Sequence, residues 1–358
     1  MINRLWNLLT LKKRAKEKQP EIGSTPADVV HRENKWRLLH YRPKSHRTSP
    51  EGAEYKTPIL LVPSLINRHY VLDLMPGRSF AEWLVAKGHD VWCIDWGTPA
   101  DEDRYVSFDD VCETYLGRAV RKVARTSDSG KTHLLGYCLG GTLTTIFAAK
   151  HQEHLAGHIA LAAPIDFHDD GLLSSWTRTG SFDVEKIVDA CGNVPWQLMQ
   201  GAFHLLRPTM NLSKAVYLVD RAWDDQFLDG FVAKETWAGD NVSFPGQAYL
   251  RYIKELYQDN KLISGEFALG GTPVHLEDIE NPTLVLAFKH DHIVPLESAG
   301  VLVDKISSKD KELMELPGGH VGAVVSRKAS ERLWPIISGW LAERDEGATS
   351  VGEAKAAE

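Results

Sequence analysis

One cysteine of the chain stands in a pattern that could position a nucleophile. Residues 133–142 read His-Leu-Leu-Gly-Tyr-Cys-Leu-Gly-Gly-Thr, which places Gly136 and Gly140 two residues before and two residues after Cys138. A turn of this kind, between a strand and a helix, holds its central residue in a strained backbone conformation, and side chains at both glycine positions would collide with the neighbouring strand and helix. The sulfur would lie at a helix N-terminus, whose dipole favours a thiolate. We therefore predict that Cys138 is a nucleophile.

A carboxylate and a histidine follow Cys138 in the order that such a nucleophile requires. On a strand-to-helix turn of this type, the acid follows a later strand and the histidine comes after the acid. Asp291 lies just past the apolar run 283–288, and His320 lies in the loop Pro-Gly-Gly-His-Val-Gly. We predict a catalytic triad of Cys138, Asp291 and His320, with His320 as the base. His292, next to the acid, could support the triad through a hydrogen bond or could be a bystander.

Two backbone amides are expected to stabilise the oxyanion that forms when the nucleophile attacks a carbonyl group. One is the amide of Leu139, the residue after the nucleophile, and the other comes from a loop that follows an early strand. The loop Val-Pro-Ser-Leu-Ile-Asn at residues 62–67 fits the second place. Leu65 is the candidate there, although the sequence does not decide among the amides of residues 64–66.

The elements that must position these residues alternate along the chain. Short apolar runs rich in β-branched residues recur with helical patterns between them, which is typical of a parallel sheet covered on both faces. Together with the nucleophile turn, this order predicts an α/β-hydrolase fold, that is, a doubly wound, mostly parallel sheet with an inserted cap. The predicted strands are 58–62, 91–95, 133–137, 158–162 and 283–288, and the predicted helices are 79–87, 109–125 and 139–150.

The strand pattern stops for roughly 115 residues after Ala163, which is far longer than an ordinary crossover. We predict that residues 165–280 form a cap inserted into a catalytic domain of residues 26–344. At this point of an α/β enzyme, an insertion lies above the carboxyl ends of the strands, so the cap would shield the site from water. Residues 345–358 are small and polar without period, which predicts a disordered tail.

Residues 1–25 form an amphipathic, basic segment. Ile2, Leu5, Trp6 and Leu9 recur at helical spacing and are followed directly by a cluster of lysines and an arginine. A helix of this kind could lie on a lipid or granule surface. It could equally pack on its own domain or on a partner subunit.

The composition argues against several other functions. The net charge of −7 gives no general attraction for nucleic acid. The four cysteines form neither a Cys-x-x-Cys pair nor a Cys/His metal spacing, so we expect free thiols in the cytoplasm, no metal and no bound cofactor. The sequence contains no apolar run of about 18 residues and no secretory signal pattern, so no transmembrane segment is expected.

Successive blocks outside the triad resemble the poly(3-hydroxyalkanoate) synthases, bacterial enzymes that polymerise hydroxyacyl-coenzyme A into storage polyester. The resemblance runs from about residue 29 to residue 341, and the chain length is similar to that of the catalytic subunit of the two-component, class III enzymes. The blocks that carry it are Val-Pro-Ser-Leu-Ile-Asn-Arg-His-Tyr-Val-Leu-Asp-Leu (62–74), Ser-Phe-Ala-Glu-Trp-Leu (79–84), Gly-His-Asp-Val (88–91), Asp-Trp-Gly (95–97), Gly-Tyr-Cys-Leu-Gly-Gly (136–141), Pro-Ile-Asp-Phe (164–167), Gly-Leu-Leu (171–173) and Tyr-Gln-Asp-Asn-Lys-Leu (257–262).

This resemblance implies an acyltransferase in which Cys138 is acylated and His320 is its base, while Asp291 orients His320 or helps to activate the incoming hydroxyl group. The implied substrates are (R)-3-hydroxyacyl-coenzyme A, with short units such as 3-hydroxybutyryl-coenzyme A, and the growing polyester chain. Coenzyme A (CoA) would enter only as part of the substrate. The resemblance also implies a homodimer, a non-catalytic second subunit and a location on polyester granules in the cytoplasm.

Two other functions remain open at the level of the sequence. A cysteine hydrolase of the same fold, similar to dienelactone hydrolases or thioesterases, would use the same triad with water as the acceptor. A non-catalytic, granule-associated scaffold would keep the fold and use the basic N-terminal segment as its anchor. Steady release of free hydroxy acid would indicate the first, and a Cys138 inert to thiol reagents would indicate the second.

Overall fold

The computed structural model describes residues 21–42, 55–178, 180, 182–206 and 210–346. Most of the predicted N-terminal segment, residues 1–20, and residues 347–358 of the predicted tail lie outside these ranges, so both predictions stay open there.

The strands of the described chain are β1 Ala27–Glu33, β2 Trp36–Tyr41, β3 Ile59–Val62, β4 Val91–Asp95, β5 Thr132–Tyr137, β6 Leu155–Leu161, β7 Ala268–Leu269, β8 Thr272–Pro273, β9 Thr283–Phe288 and β10 Lys311–Leu316. Eight of them form a central sheet in the order β1-β2-β4-β3-β5-β6-β9-β10. All neighbours from β4 to β10 in this order are parallel, whereas β2 is antiparallel to both β1 and β4. A separate two-stranded hairpin pairs β7 with β8.

Helices cover both faces of this sheet. The helices are α1 Phe80–Ala86, α2 Gly117–Ala124, α3 Leu139–Lys150, α4 Leu172–Arg178, α5 Val184–Cys191, α6 Trp196–Leu206, α7 Met210–Arg221, α8 Asp225–Gly239, α9 Gly246–Arg251, α10 Lys261–Ser264, α11 Leu296–Lys305, α12 Gly322–Val325, α13 Ala329–Arg332 and α14 Trp334–Ala342. The π-helical turn Asp110–Leu116 leads into α2, and a second π-helical turn, Tyr252–Gln258, follows α9.

Alternate residues of the inner strands belong to two different hydrophobic cores. In β3, Leu60 and Val62 lie in the core that includes Phe147 of α3, whereas Ile59 and Leu61 lie in the opposite core. Because both faces of these strands are buried, their sequences are continuous apolar runs, and the sequence analysis recognised the strands by these runs. The predicted α/β-hydrolase fold is therefore confirmed, with the bounds of β4, β9 and α3 as expected.

The antiparallel strands β1 and β2 were absent from the prediction. Strand β1 reads Ala-Asp-Val-Val-His-Arg-Glu and lies at the sheet edge, where its residues are exposed or half-buried. An edge strand of this kind carries charges that discourage pairing with other chains, and it lacks the apolar run by which the inner strands were recognised.

The cap segment leaves the sheet after β6 and returns to it at β9, and its helices are α4 to α10. Its two ends are joined at the base. The amide of Phe167 donates a hydrogen bond to Oδ1 of Asn260 at 3.1 Å, and Nδ2 of Asn260 donates to Asp166 at 2.8 Å. The hydroxyl of Ser298 in α11 donates to the carbonyl of Asp166 at 2.6 Å, so the start of the cap is also fixed to the sheet domain.

The ordered fold extends beyond the predicted start of the disordered tail. Oδ1 of Asp345 accepts hydrogen bonds from the amides of Lys56 and Thr57, at 2.9 and 2.7 Å. The amide of Ser129 donates to Glu346 at 3.1 Å. At least Asp345 and Glu346 therefore belong to the folded domain rather than to a disordered tail.

Glycines let α3 pack directly on the sheet. A Cβ atom at Gly141 would lie 2.3 Å from Cβ of Ala163, and one at Gly136 would lie 2.2 Å from Oγ1 of Thr144. A Cβ atom at Gly140 would lie 2.1 Å from the carbonyl oxygen of Val62. These distances are far below van der Waals contact, so any side chain at these positions would push the helix away from the strands.

We expect Gly141→Ala to lower the free energy of unfolding by about 1–3 kcal/mol, because the added methyl group has no space. Gly339→Ala is the matched control, since a Cβ at this exposed position of α14 meets nothing within 4 Å. There the better helix propensity of alanine should leave stability unchanged or raise it by about 0.5–1 kcal/mol. Urea unfolding followed by tryptophan fluorescence measures both, and equal effects of the two substitutions would contradict the packing argument.

Candidate active site

Cys138 occupies the sharp turn between β5 and α3. Its backbone has φ 57° and ψ −130°, a conformation that side chains rarely adopt. Its amide donates a hydrogen bond to the carbonyl of Leu161 at 3.0 Å, and its carbonyl accepts from the amide of Gly141 at 2.8 Å. The turn is thus held on both sides, and the half-buried sulfur lies at the N-terminus of α3.

Asp291 and His320 form a buried pair after the neighbouring strands β9 and β10. Nδ1 of His320 lies 2.7 Å from Oδ2 of Asp291. The other carboxylate oxygen accepts from the amides of Ile293 and Val294, both at 2.9 Å. The Asp291 side chain is fully buried and that of His320 is 5% exposed, so water does not compete for this contact.

The charges of the three side chains support one another. Burial by itself would lower the pKa of His320, but a thiolate at Cys138 and the carboxylate of Asp291 outweigh it and raise that pKa to about 10. Burial would raise the pKa of Asp291, whereas His320 and the two backbone amides hold it below its usual range. His320 can therefore take the proton of Cys138 and keep it as an imidazolium beside two anions. The structure brings together all three residues of the predicted triad.

Tyr137, which the sequence analysis did not single out, supports the histidine. Its ring is stacked on the imidazole of His320, with ring centroids 5.3 Å apart and an interplanar angle of 26°. Its hydroxyl donates to the backbone carbonyl of His320 at 3.2 Å. The only signal in the sequence was its place directly before the nucleophile.

The oxyanion candidates differ in how they are placed. Leu139 is the first residue of α3, so its amide has no acceptor within the helix and is available to a ligand. In the loop after β3, Ile66 lines the space beside Cys138, whereas Leu65 lines a small pocket with Trp36 and Trp96. The second oxyanion amide stays a prediction within residues 64–66.

Two chambers under the cap meet at Cys138. Both are lined by Cys138, Ile66, Phe203 and Ile293. We call the first the polar chamber. It has a volume of about 470 Å³ and includes His204, Lys214, Lys234, Glu235, Asn241, His290, His292 and His320.

The second, the apolar chamber, has a volume of about 380 Å³. Hydrophobic and aromatic side chains form most of its wall, including Leu173, Phe182, Ile187, Met199, Phe244, Tyr249, Tyr252 and Tyr257. Cys138 therefore lies between two chambers, one with Lys234 and a Lys214–Glu235 ion pair in its wall and the other mainly apolar.

His292 lines the polar chamber beside the acid, which fits both a supporting role and a bystander role. The lysines of this chamber were missed by the sequence analysis, because Lys214 and Lys234 stand in helices where charged residues usually face solvent. Nothing in their spacing distinguishes them from surface charges.

No group of three or more metal-ligating side chains occurs among the residues that the structure describes. In the same part of the chain, none of the helices has the length and apolar character needed to cross a membrane.

Comparison with protein families gives two matches. A family described as the alpha/beta hydrolase fold matches residues 57–325. A family described as the N-terminus of poly-beta-hydroxybutyrate polymerase (PhaC) matches residues 9–84.

Individual relatives agree with these matches. The chain is 37% identical over 330 residues to the poly(3-hydroxyalkanoate) polymerase subunit PhaC of Haloferax mediterranei, covering 92% of this chain and 66% of that protein. It is 34% identical over 328 residues to the PhaC subunit of Allochromatium vinosum, covering 90% of each chain. The PhaC subunit of a Synechocystis species is 33% identical, with 90% of this chain and 86% of that protein covered.

Solved structures with a similar fold include a thermophilic esterase from Thermogutta terrifontis, with a TM-score of 0.54, 16% identity, and coverage of 89% of this chain and 98% of the esterase. MenH from S. aureus has a TM-score of 0.53 and 14% identity, and covers 87% of this chain and 99% of its own. At such low identity, these likenesses show the fold alone.

We expect Asp291→Asn to lower the pKa of His320 from about 10 toward its ordinary value of 6.5, because the amide removes one of the two anions that raise it. The imidazolium of the parent protein should persist until the pH rises through about 10, and that of the variant should be lost at lower pH. NMR titration of the histidine ring carbons, assigned with His320→Gln, measures this shift.

Asp310→Asn is the matched control for this titration. Asp310 pairs with Arg344 at the protein surface, 2.7 Å apart, so its loss should leave the His320 titration unchanged. A His320 titration that is the same in Asp291→Asn as in the parent would contradict the electrostatic coupling.

Proposed function

This chain belongs to the family of poly(3-hydroxyalkanoate) polymerase subunits named PhaC, and we propose that it polymerises (R)-3-hydroxyacyl-CoA into polyester through an acyl group on Cys138. The observation that carries this proposal is the position of Cys138, beside a buried Asp–His pair and at the junction of the polar and the apolar chamber. The chain spans 66% of the length of the Haloferax relative and 90% of the Allochromatium relative.

In the proposed first step, His320 takes the thiol proton of Cys138 and the thiolate attacks the thioester carbonyl of the substrate. The amide of Leu139 and one amide of the loop after β3 stabilise the oxyanion. The carbon–sulfur bond to CoA then breaks, and the imidazolium of His320 protonates the leaving thiolate. The product is again a thioester, so the acyl group keeps the activation that ester formation needs, whereas a serine ester would lose it.

In the second step, the 3-hydroxyl group of another unit attacks the acyl-Cys138 carbonyl and gives up its proton to the His320–Asp291 pair. An ester bond forms and the thioester bond to Cys138 breaks. Water competes with this hydroxyl group, and its attack would release free acid. The apolar chamber supports polymerisation over hydrolysis because most of its wall is hydrophobic, so water gains few hydrogen bonds there apart from those to the tyrosine hydroxyl groups.

The charges of the polar chamber suit CoA. Burial lowers the pKa of Lys234, and the nearby Lys214 and Arg78 lower it further, whereas Glu235 raises it. Lys214 pairs with Glu235 at 2.8 Å, whereas a phosphate of CoA would pair with Lys234. We therefore place CoA in the polar chamber and the acyl chain in the apolar one.

The finer parts of the proposal rest on the family. We propose short-chain units such as 3-hydroxybutyryl-CoA as substrates, with CoA present only as part of the substrate and no bound metal or cofactor. The relatives are named as subunits, which supports a non-catalytic partner. A homodimer and a location at polyester granules in the cytoplasm are proposed on the resemblance of the sequence alone.

We expect Cys138→Ser to reduce CoA release from (R)-3-hydroxybutyryl-CoA by at least roughly a hundredfold, because a serine hydroxyl beside His320 is far less ionised than a thiol. Cys191→Ser, at an exposed position at the end of α5, should release CoA at the parent rate. The assay follows CoA release and identifies the acyl product as polymer or free acid.

Each outcome of this assay selects one function. Polymer made by the parent and by Cys191→Ser supports the synthase, whereas free acid would establish the cysteine hydrolase instead. If no CoA is released even with a candidate second subunit, and Cys138 is inert to iodoacetamide, the chain is a scaffold.

We expect Lys234→Gln to raise the KM for 3-hydroxybutyryl-CoA roughly tenfold, because a charge-assisted contact to phosphate is lost. The same variant should leave kcat/KM unchanged for the N-acetylcysteamine thioester, which carries the same acyl group without phosphates. Lys254→Gln, which removes an exposed cation paired with Glu185 outside both chambers, should change neither value. Equal losses for both thioesters would contradict the placement of CoA.

A further inference from the structure

Two buried tyrosines stand beside Cys138 in the apolar chamber. Tyr252 and Tyr257 both line this chamber, and the two residues are only 9% and 6% exposed. Burial raises the pKa of both phenols, and a thiolate at Cys138 raises it further.

The backbone brings these two side chains to one side of the helix. They stand five positions apart, as the first and the last but one residue of the π-helical turn Tyr252–Gln258. In an α-helix, residues five apart point about 140° away from each other, since each residue turns by about 100°. The wider π-helical turn, with its i to i+5 hydrogen bonds, returns the fifth residue to nearly the same side. The ring centroids lie 5.3 Å apart with the rings almost perpendicular, at 84°.

Neighbouring aromatic rings hold this pair in place. Phe167 at the base of the cap contacts both tyrosines, with ring centroids 6.0 Å from Tyr252 and 4.8 Å from Tyr257. Phe244 is stacked on Tyr252 at 5.8 Å. The phenols therefore do not need to be ordered when a ligand binds, which lowers the cost of binding.

The two phenol rings are neighbours, and each hydroxyl group carries one proton. Even when one phenol donates its proton to the other, the second proton can be donated to a ligand. Burial raises the pKa of each phenol above its ordinary range, so both stay protonated at neutral pH. A polar donor in a mainly apolar chamber is costly unless its ligand offers an acceptor there.

We propose that the Tyr252–Tyr257 pair binds the oxygen on carbon 3 of the acyl group carried by Cys138. This oxygen is a hydroxyl group in the first unit and an ester oxygen once the chain has grown, and a phenol can donate to either. The inference rests on the proposed function and explains how the site would select acyl groups that carry an oxygen on carbon 3. A site that hydrogen-bonds an oxygen discriminates against the analogue without it, because its own polar group is then left unpaired.

The test compares two thioesters that differ only in this oxygen. The rate of formation of acyl-Cys138 is measured by intact-protein mass spectrometry with (R)-3-hydroxybutyryl-CoA and with butyryl-CoA. We expect Tyr257→Phe to lower the rate with the hydroxyacyl substrate roughly tenfold and to leave the rate with butyryl-CoA unchanged or higher. We expect the ratio of the two rates to be well above one in the parent and to approach one in the variant.

Two further variants separate recognition from packing. Tyr252→Phe should lower the same ratio, and it provides a second measurement if Tyr257→Phe unfolds. Tyr41→Phe removes a buried phenolic hydroxyl that lies on β2, outside both chambers, and should leave the ratio at the parent value.

The outcomes distinguish this inference from the proposed function. Equal loss of both rates in the tyrosine variants, or an unchanged ratio, would overturn the role of the pair while acyl-Cys138 still forms in the parent. A parent protein that forms acyl-Cys138 with neither thioester would overturn the proposed function, and the inference with it.

Discussion

The strained backbone of Cys138 is the constraint on which the rest of the site depends. Its positive φ costs on the order of 1–3 kcal/mol and persists only where the surrounding structure enforces it. That enforcement comes from β5 and α3, which approach so closely that Gly136, Gly140 and Gly141 leave no room for a Cβ atom. As a result, the sulfur of Cys138 lies beyond the end of β5, at the N-terminus of α3, where residues that follow other strands can contact it.

The parallel order of the sheet explains why distant residues meet there. β9 and β10 are adjacent and pair in register, so the residues that follow them come together, and Asp291 and His320 lie 2.7 Å apart. β6 lies between β5 and β9 in the sheet, and its width sets the distance between the turn at Cys138 and Asp291. The three side chains are far apart in sequence, yet each lies just beyond the carboxyl end of a strand, where α/β sheets place their ligands.

Sequence patterns predicted the parts of this molecule that repeat a strong local signal. The inner strands were visible because both faces are buried, and Cys138 because glycines frame it. β1 lacked such a run, and the Tyr252–Tyr257 pair was invisible because a spacing of five marks no face of an α-helix. Lys214 and Lys234 resembled solvated surface charges, and only the folding of the cap over the sheet reveals that they line the same chamber as Cys138.

The cap covers the site and also gives Cys138 different surroundings on its two sides. Its base is fixed through Asn260, Asp166 and Ser298. The hydroxyl of Thr142 in α3 donates to the carbonyl of Pro164 at 2.7 Å, so the chamber walls are held in place relative to the turn at Cys138. An acyl group on Cys138 would have the polar chamber on one side and the apolar chamber on the other. In the proposed reaction, an anionic leaving group and an apolar chain are drawn to opposite sides of the sulfur. This separation would keep the departing CoA out of the path of the growing chain, so that one nucleophile can be used repeatedly without releasing its product to water.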